Sequence, residues 1–265
     1  MRSLYGSHFS EDNGLNLSFP LFSISYGKIM SGSNFIIKNY QNDIGYITLN
    51  RGQKANAYSS TMLQAFEAAL DDMERRAAIR VIVIRAQGRS FCAGADLDEL
   101  RRRSAEDALN LQSAKVFTRL AHCPRPTIAM VQGPAVAGGF ELALSCDFRF
   151  ATPAARFSLP EVGLGILPAA GGIERLTRLV GGARARMCVL AGRPISAQEA
   201  LDWGLVTEIC SHETFDDTVV RFAHRLAACN PMALRLAKEA IVLAECGTDP
   251  RHATLVSQAL LYHLA

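Results

Sequence analysis

Up to about residue 212 the chain alternates between β-rich runs and helical segments, and beyond that point the runs stop. This alternation constrains the fold more than any other feature, because strands separated by helices assemble into α/β layers. Ile44–Leu49 alternates and is β-rich, Ile79–Arg85 is a β-branched run of a buried strand, and Thr127–Val131 is another, with weaker runs at Phe148–Ala151 and Leu205–Ile209. Between the first two, Ser59–Arg76 carries Met62, Phe66, Ala69, Leu70 and Met73 at helical spacing behind a serine N-cap. Further helices are predicted near 106–121, 139–145, 170–180, 184–190 and 196–202. After residue 212, the stretches 212–228, 231–244 and 253–264 all read as helix, with Pro231 at a helix start and a break over 246–250. The predicted layout is an α/β core over 35–210 and a helical region over 211–265. Residues 1–34, rich in Ser, Asn, Gly and Phe without periodicity, are predicted to be an N-terminal extension lacking order.

A chain of 265 residues can bury one core large enough to need no metal or disulfide staple. The seven cysteines are scattered and form no C-x-x-C pair, so no zinc site or disulfide framework is expected. A net charge of +3 is too small to point to nucleic acid, yet suits a polyanionic small molecule held by local cations. No apolar run approaches a membrane span and no signal-peptide pattern opens the chain, so a cytoplasmic protein is expected.

Three segments carry chemistry. Gly88–Leu97 (GRSFCAGADL) follows the second strand, and its small residues Ala93, Gly94 and Ala95 let a ligand approach the backbone, leaving N–H groups free for a negative oxygen. Gln132–Asp147 (QGPAVAGGFELALSCD) follows the third. Gly138 and Gly139 stand where a helix should begin, and Glu141, three residues on, faces the same side as Gly138. In Phe157–Gly172 (FSLPEVGLGILPAAGG), Glu161 sits in a Gly-rich apolar loop, where a carboxyl pKa rises toward the range useful for proton transfer.

Taken together, in this order and spacing, these segments resemble the enoyl-CoA hydratase/isomerase (crotonase) superfamily. The resemblance implies a spiral of ββα units with a C-terminal helical region that builds trimers, often paired into hexamers. It implies a coenzyme A thioester substrate, no tightly bound cofactor and an enolate intermediate. By similarity the backbone N–H groups of Ala95 and Gly138 hold the thioester oxygen, and Glu141 and Glu161 flank a water at the double bond. Retention of both acids favours hydration; isomerase or other enolate chemistry on the same frame is the alternative. The coenzyme would lie along Lys54 and Ala55 and along Ala93, Ala95, Asp96 and Leu97. Phe140 and Ala169 replace smaller residues and are expected to shape the substrate pocket. Members of the superfamily run on through a further helix with basic residues, a contribution expected to be missing where this chain stops at Tyr262–Ala265.

Other readings fit less well. Ser90 lies in G-x-S-x-C rather than G-x-S-x-G, and the six histidines match no H-E-x-x-H pattern. An RNA-binding relative would carry lysines on the helix over 62–76, which here has Glu67, Asp71, Asp72 and Glu74 and no lysine. A catalytically inactive scaffold would have no need of both Glu141 and Glu161. Arg101, Arg102 and Arg103 read as a solvated face or as positive field near the entrance.

Overall fold

The computed structural model describes residues 35–264; the extension expected over 1–34 lies outside the described residues. The backbone coils. β1 (Ile36–Gln41) turns back antiparallel onto β2 (Ile44–Leu49), and a short extended segment through Tyr58 leads into α1 (Ser60–Arg75). β3 (Val81–Ala86) follows, then the turn through Ala95, α2 (Leu97–Leu100), α3 (Ala105–Leu109) and α4 (Gln112–Ala121). The next round is β4 (Thr127–Val131), β5 (Ala135–Val136) and α5 (Gly138–Leu144). The one after it is β6 (Phe148–Ala151), β7 (Arg156–Ser158) and α6 (Gly172–Val189). β8 (Ile195–Ser196), α7 (Ala197–Asp202) and β9 (Glu208–Ile209) close the coil, and α8 (Phe215–Ala227), α9 (Pro231–Glu245) and α10 (Arg251–Leu264) follow.

Each round places one strand in a six-stranded sheet of order β1-β2-β3-β4-β6-β9, parallel apart from β1. Because β2, β3 and β4 are buried on both faces, they read as nearly continuous apolar runs. Their side chains alternate between two cores. Ile47, Leu49, Ile82, Ile84, Ala129 and Val131 pack toward α1, α4 and α5. Ile44, Tyr46, Val81, Val83, Ile128 and Met130 pack against Phe215, Val219, Ala223 and Ala227 of α8. One residue of slip would exchange the two sets, so the alternation fixes register.

Ser59 caps α1 by accepting the Met62 N–H, as predicted, and Met62, Phe66, Ala69, Leu70 and Met73 are all buried. Asn230 caps α9 with Pro231 in its first turn. Several predicted boundaries move. The helix near 106–121 is two helices, separated at Asn110 and Leu111. The helices over 170–180 and 184–190 join into α6 across a kink at Gly181, whose φ of 77° breaks the helical backbone. The run at 205–209 pairs only at its last two residues. Four strands escaped the sequence reading. In β1 only the first residue is buried, so it shows no apolar alternation; β5, β7 and β8 are too short to carry a measurable period.

Among the described residues no helix is long and apolar enough to cross a membrane, and no group of three or more His, Cys, Asp or Glu is placed to hold a metal ion. All seven cysteines are free thiols, five of them buried. α9 and α10 differ from the rest: α9 buries no residue, and Met232, Ile241, Leu255, Val256, Leu260 and Tyr262 stand exposed along the pair.

Candidate active site

A second row of strand pairings runs beside the main sheet and assembles the site. Tyr58 bridges Ala95, Cys92 bridges Ala135, and β5 pairs parallel with β7, Val136 opposite Ser158. The Ala137 N–H continues that ladder by donating to the Ser158 carbonyl at 2.8 Å. Since these segments run side by side in the same direction, residues a few positions beyond each pairing emerge at one end. Those residues include Ala95, Gly138 with Glu141, and Glu161.

The turn carrying Ala95 and the start of α5 lie against each other there. The Gly94 carbonyl accepts from the Tyr58 N–H and the Asp96 N–H donates to the Tyr58 carbonyl, both at 2.8 Å. Alternation along the strand therefore turns the Ala95 N–H away from Tyr58. A methyl group added at Gly94 would stand 3.2 Å from the Gly138 nitrogen, so the turn and the start of α5 are in contact. Neither the Ala95 nor the Gly138 N–H has an acceptor among the described residues; for Gly138 this follows from its place as first residue of α5. Gly138 admits no side chain, because a Cβ there would collide with the Tyr58 hydroxyl. Ala137, which launches α5, holds φ 52° and ψ −129°, a conformation costing an L-residue of order 1–3 kcal/mol.

Glu141 and Glu161 are 3% and 4% exposed, which for carboxyls demands explanation. Glu141 Oε1 accepts two backbone N–H groups, from Ala170 at 2.8 Å and Gly172 at 2.9 Å. Burial pushes its pKa up to about 7; the two N–H donors and Arg175 pull it down, while the charge of Glu161 raises it further. Burial also raises the Glu161 pKa, and its Oε2 is buried with no hydrogen-bond partner. The loop that holds Glu141 is itself held: Arg175, from the first turn of α6, donates to the Ala170 carbonyl at 2.9 Å.

The turn predicted for the coenzyme is built on Arg51 and Asn56. Asn56, fully buried in a left-handed conformation like Ala55, accepts the Arg51 N–H and donates to the Gln87 and Ser90 carbonyls. The Ala93 N–H donates to the Ala55 carbonyl at 3.0 Å, so the two turns form one rim. Ala93 and Leu97 are exposed on it, and Lys54 is half exposed. Asp96 is corrected. Its carboxylate is buried, pairs with Arg51 at 2.7 Å and Lys54 at 3.7 Å, and caps α2, so it supports the Ala95 turn from within.

Phe140 also turns inward. Its ring is fully buried, 5.1 Å from that of Phe157, and belongs to the core instead of lining open space. Ala169 is exposed, next to the Ala170 amide that binds Glu141. Sequence reasoning missed Ala170, Gly172, Arg175, Arg51 and Asn56; only the Gly171-Gly172 pair gave a signal, as backbone able to approach another group closely.

Comparison with known proteins identifies the family. The family model described as enoyl-CoA hydratase/isomerase matches residues 39–263. The putative enoyl-CoA hydratase/isomerase YngF of Bacillus subtilis is 41% identical over 78% of this chain and 80% of its own. The short-chain-enoyl-CoA hydratase of Clostridium acetobutylicum is 35% identical over 78% and 81%. Among solved structures, the enoyl-CoA hydratase from Bacillus anthracis superposes with a TM-score of 0.80 at 35% identity, covering 86% of this chain and 90% of that one. The coil of strands and helices is thus the crotonase fold, and the chain belongs to the enoyl-CoA hydratase/isomerase family.

Proposed function

We propose that this protein is an enoyl-CoA hydratase that adds water across the double bond of a trans-2-enoyl-CoA. The observation that carries the reading is the meeting of two unpartnered N–H groups, at Ala95 and Gly138, with two buried carboxyls at one end of the coil. The thioester oxygen lies between the two N–H groups. Donors already fixed where negative charge develops need no reorganisation during reaction, and each is worth about 3–4 kcal/mol of barrier.

The two carboxyls take different parts. Glu141, with Oε1 fixed by two N–H groups, is better suited to the ionised form and to orienting water as base. Glu161, with a buried oxygen that has no donor, is better suited to carrying a proton. Glu141 takes a proton from water as the water oxygen bonds Cβ, and the double-bond electrons move to the thioester oxygen as an enolate. Glu161 then delivers its proton to Cα, and the carbonyl reforms. The charge of Glu161 adds to burial in raising the Glu141 pKa.

Coenzyme A, the carrier half of the substrate, lies along the rim formed by Lys54, Ala55, Ala93 and Leu97. The ion pairs of Lys54 with Asp96 and Asp98, both 3.7 Å, are loose enough for its ammonium to turn to a phosphate. The exposed apolar residues of α9 and α10 form the contact of a cytoplasmic homotrimer or hexamer. Light scattering at micromolar concentration should give three or six copies, and a stable monomer would overturn that assignment.

The activity test is loss of the conjugated thioester's ultraviolet absorbance with crotonyl-CoA, for wild type, Glu141→Gln and Glu161→Gln. Turnover by wild type with a drop of about 10²–10⁴ in each variant is expected. Water addition that survives both substitutions would sink the two-carboxyl mechanism, and double-bond migration without hydration would move the protein to the isomerases.

A further inference from the structure

We propose that the preferred acyl group ends in a carboxylate, received by Arg103 in a cavity beside the thioester site; the inference rests on the enoyl-CoA reading above and deepens it.

The cavity, about 390 Å³, opens between α1 and the segment from α2 to α4. Tyr58 connects it to the chemistry. The ring of Tyr58 lines the cavity, and its hydroxyl lies so close to Gly138 that a side chain there would strike it. An acyl chain whose carbonyl oxygen sits at Gly138 therefore has this space alongside it. A site for a plain hydrocarbon tail would be walled with aliphatic and aromatic groups. This one has Leu63 and Leu111 on its wall, but otherwise Arg102, Arg103, Gln112 and Ser113 around Tyr58.

The bonding of these groups shows what is left over for a ligand. Two acids also border the cavity, each with one carboxylate oxygen taken by a serine. Glu99 accepts from the Ser60 N–H at 2.8 Å and from its hydroxyl at 2.9 Å. Asp107 accepts both donors of Ser104, each at 2.8 Å. Arg102 spends its Nε on the Asp98 carbonyl. Arg103 is half-buried, and its guanidinium makes no hydrogen bond or ion pair among the described residues, while its backbone N–H donates to the Leu100 carbonyl. It lies close enough to Tyr58 and Asp107 for its charge to act on both. Leu111 supplies no capping side chain to α4, so the first N–H groups of that helix, at Gln112 and Ser113, add unspent donors to the same wall. Donors without acceptors, headed by a guanidinium that offers a planar fork, call for an oxyanion, and a carboxylate matches that fork in two parallel bonds.

The experiment compares, in wild type, mono-CoA thioesters of trans-2-enedioic acids of five to eight carbons with their ω-methyl esters, which cancel only the charge. The kcat/KM of acid over ester should exceed tenfold for at least one chain length. That ratio should fall toward unity in Arg103→Met and recover in part in Arg103→Lys. Esters hydrated as well as or better than acids at every length would overturn the inference while leaving the hydratase reading intact. Failure to hydrate any thioester, crotonyl-CoA included, would overturn the hydratase reading and this inference with it. Because the first comparison uses the native chain, a variant that folds poorly cannot obscure the answer.

Discussion

The Ala170 N–H donates to Glu141 Oε1 at 2.8 Å, tying the first turn of α5 to the loop before α6. An acid buried this deeply would lose its orientation without such a tether. The Gly172 N–H completes it at 2.9 Å.

Glu141 makes stability depend on pH. Its pKa rises from an ordinary 4.5 to about 7 on folding, so between those values the folded chain holds a proton that the unfolded chain has lost. Its contribution is therefore full below about 4.5, declines as pH rises toward 7 and is gone above. Glu141→Gln should remove this slope, and above pH 7 should leave the protein more stable than wild type by about 3 kcal/mol. Urea unfolding of both proteins from pH 4.5 to 8 measures it, and parallel curves would refute it.

Glu161→Gln should act on Glu141 as well as on the reaction. The neighbouring charge is one of the causes that raise the Glu141 pKa, so Glu141 should titrate at lower pH in the variant. Carbon-13 NMR of labelled glutamate carboxyls follows it directly. An unmoved Glu141 resonance would mean that the acids do not communicate.

Arg175 is a positioning residue for Glu141. It braces the Ala170 carbonyl, and its charge lowers the Glu141 pKa; Glu174 and Arg178 are the other charged groups that act on it. Arg175→Met should move the acid limb of the kcat profile to higher pH, and Arg175→Lys should move it less. For every pH unit that the limb moves, the rate on it falls about tenfold. A lower kcat with an unchanged profile would leave Arg175 only a packing role.

Asp96→Asn weakens the pairing with Arg51 that fixes the turn carrying Ala95. The expected result is a kcat lowered by up to about 10²–10³, the loss typical of one misplaced oxyanion donor, with a smaller change in KM. Thermal denaturation should also come earlier, since Arg51 would be left half-compensated in a buried place. Asp96→Glu should recover part of the rate. Equal kcat in Asp96→Asn and wild type would show that the turn holds without the ion pair.

Much of this arrangement was legible in the sequence. The long buried strands announced themselves because both faces are apolar, and α1 because its apolar period and serine cap agree. Glu161 stood out as an acid in an apolar, glycine-rich loop, and Glu141 as an acid three residues beyond Gly138 at a helix start. The tethers did not, since the Ala170 and Gly172 donors are main-chain groups and the pairing of Val136 with Ser158 joins segments too short to show a period. The inward turn of Asp96 and Phe140 was not legible, for one reason. Residue type tells what a side chain can do, but its direction was fixed by Arg51 in one case and by Phe157 in the other.

On the proposed reading the donors at residues 95 and 138 are backbone N–H groups, and no substitution short of proline removes one. If that reading holds, change at the acids or along the neighbouring cavity would alter what is done to an enolate, or to which one, while the means of holding its oxygen persists. A frame of this kind can exchange one reaction for another without passing through a form that has lost its grip on the thioester.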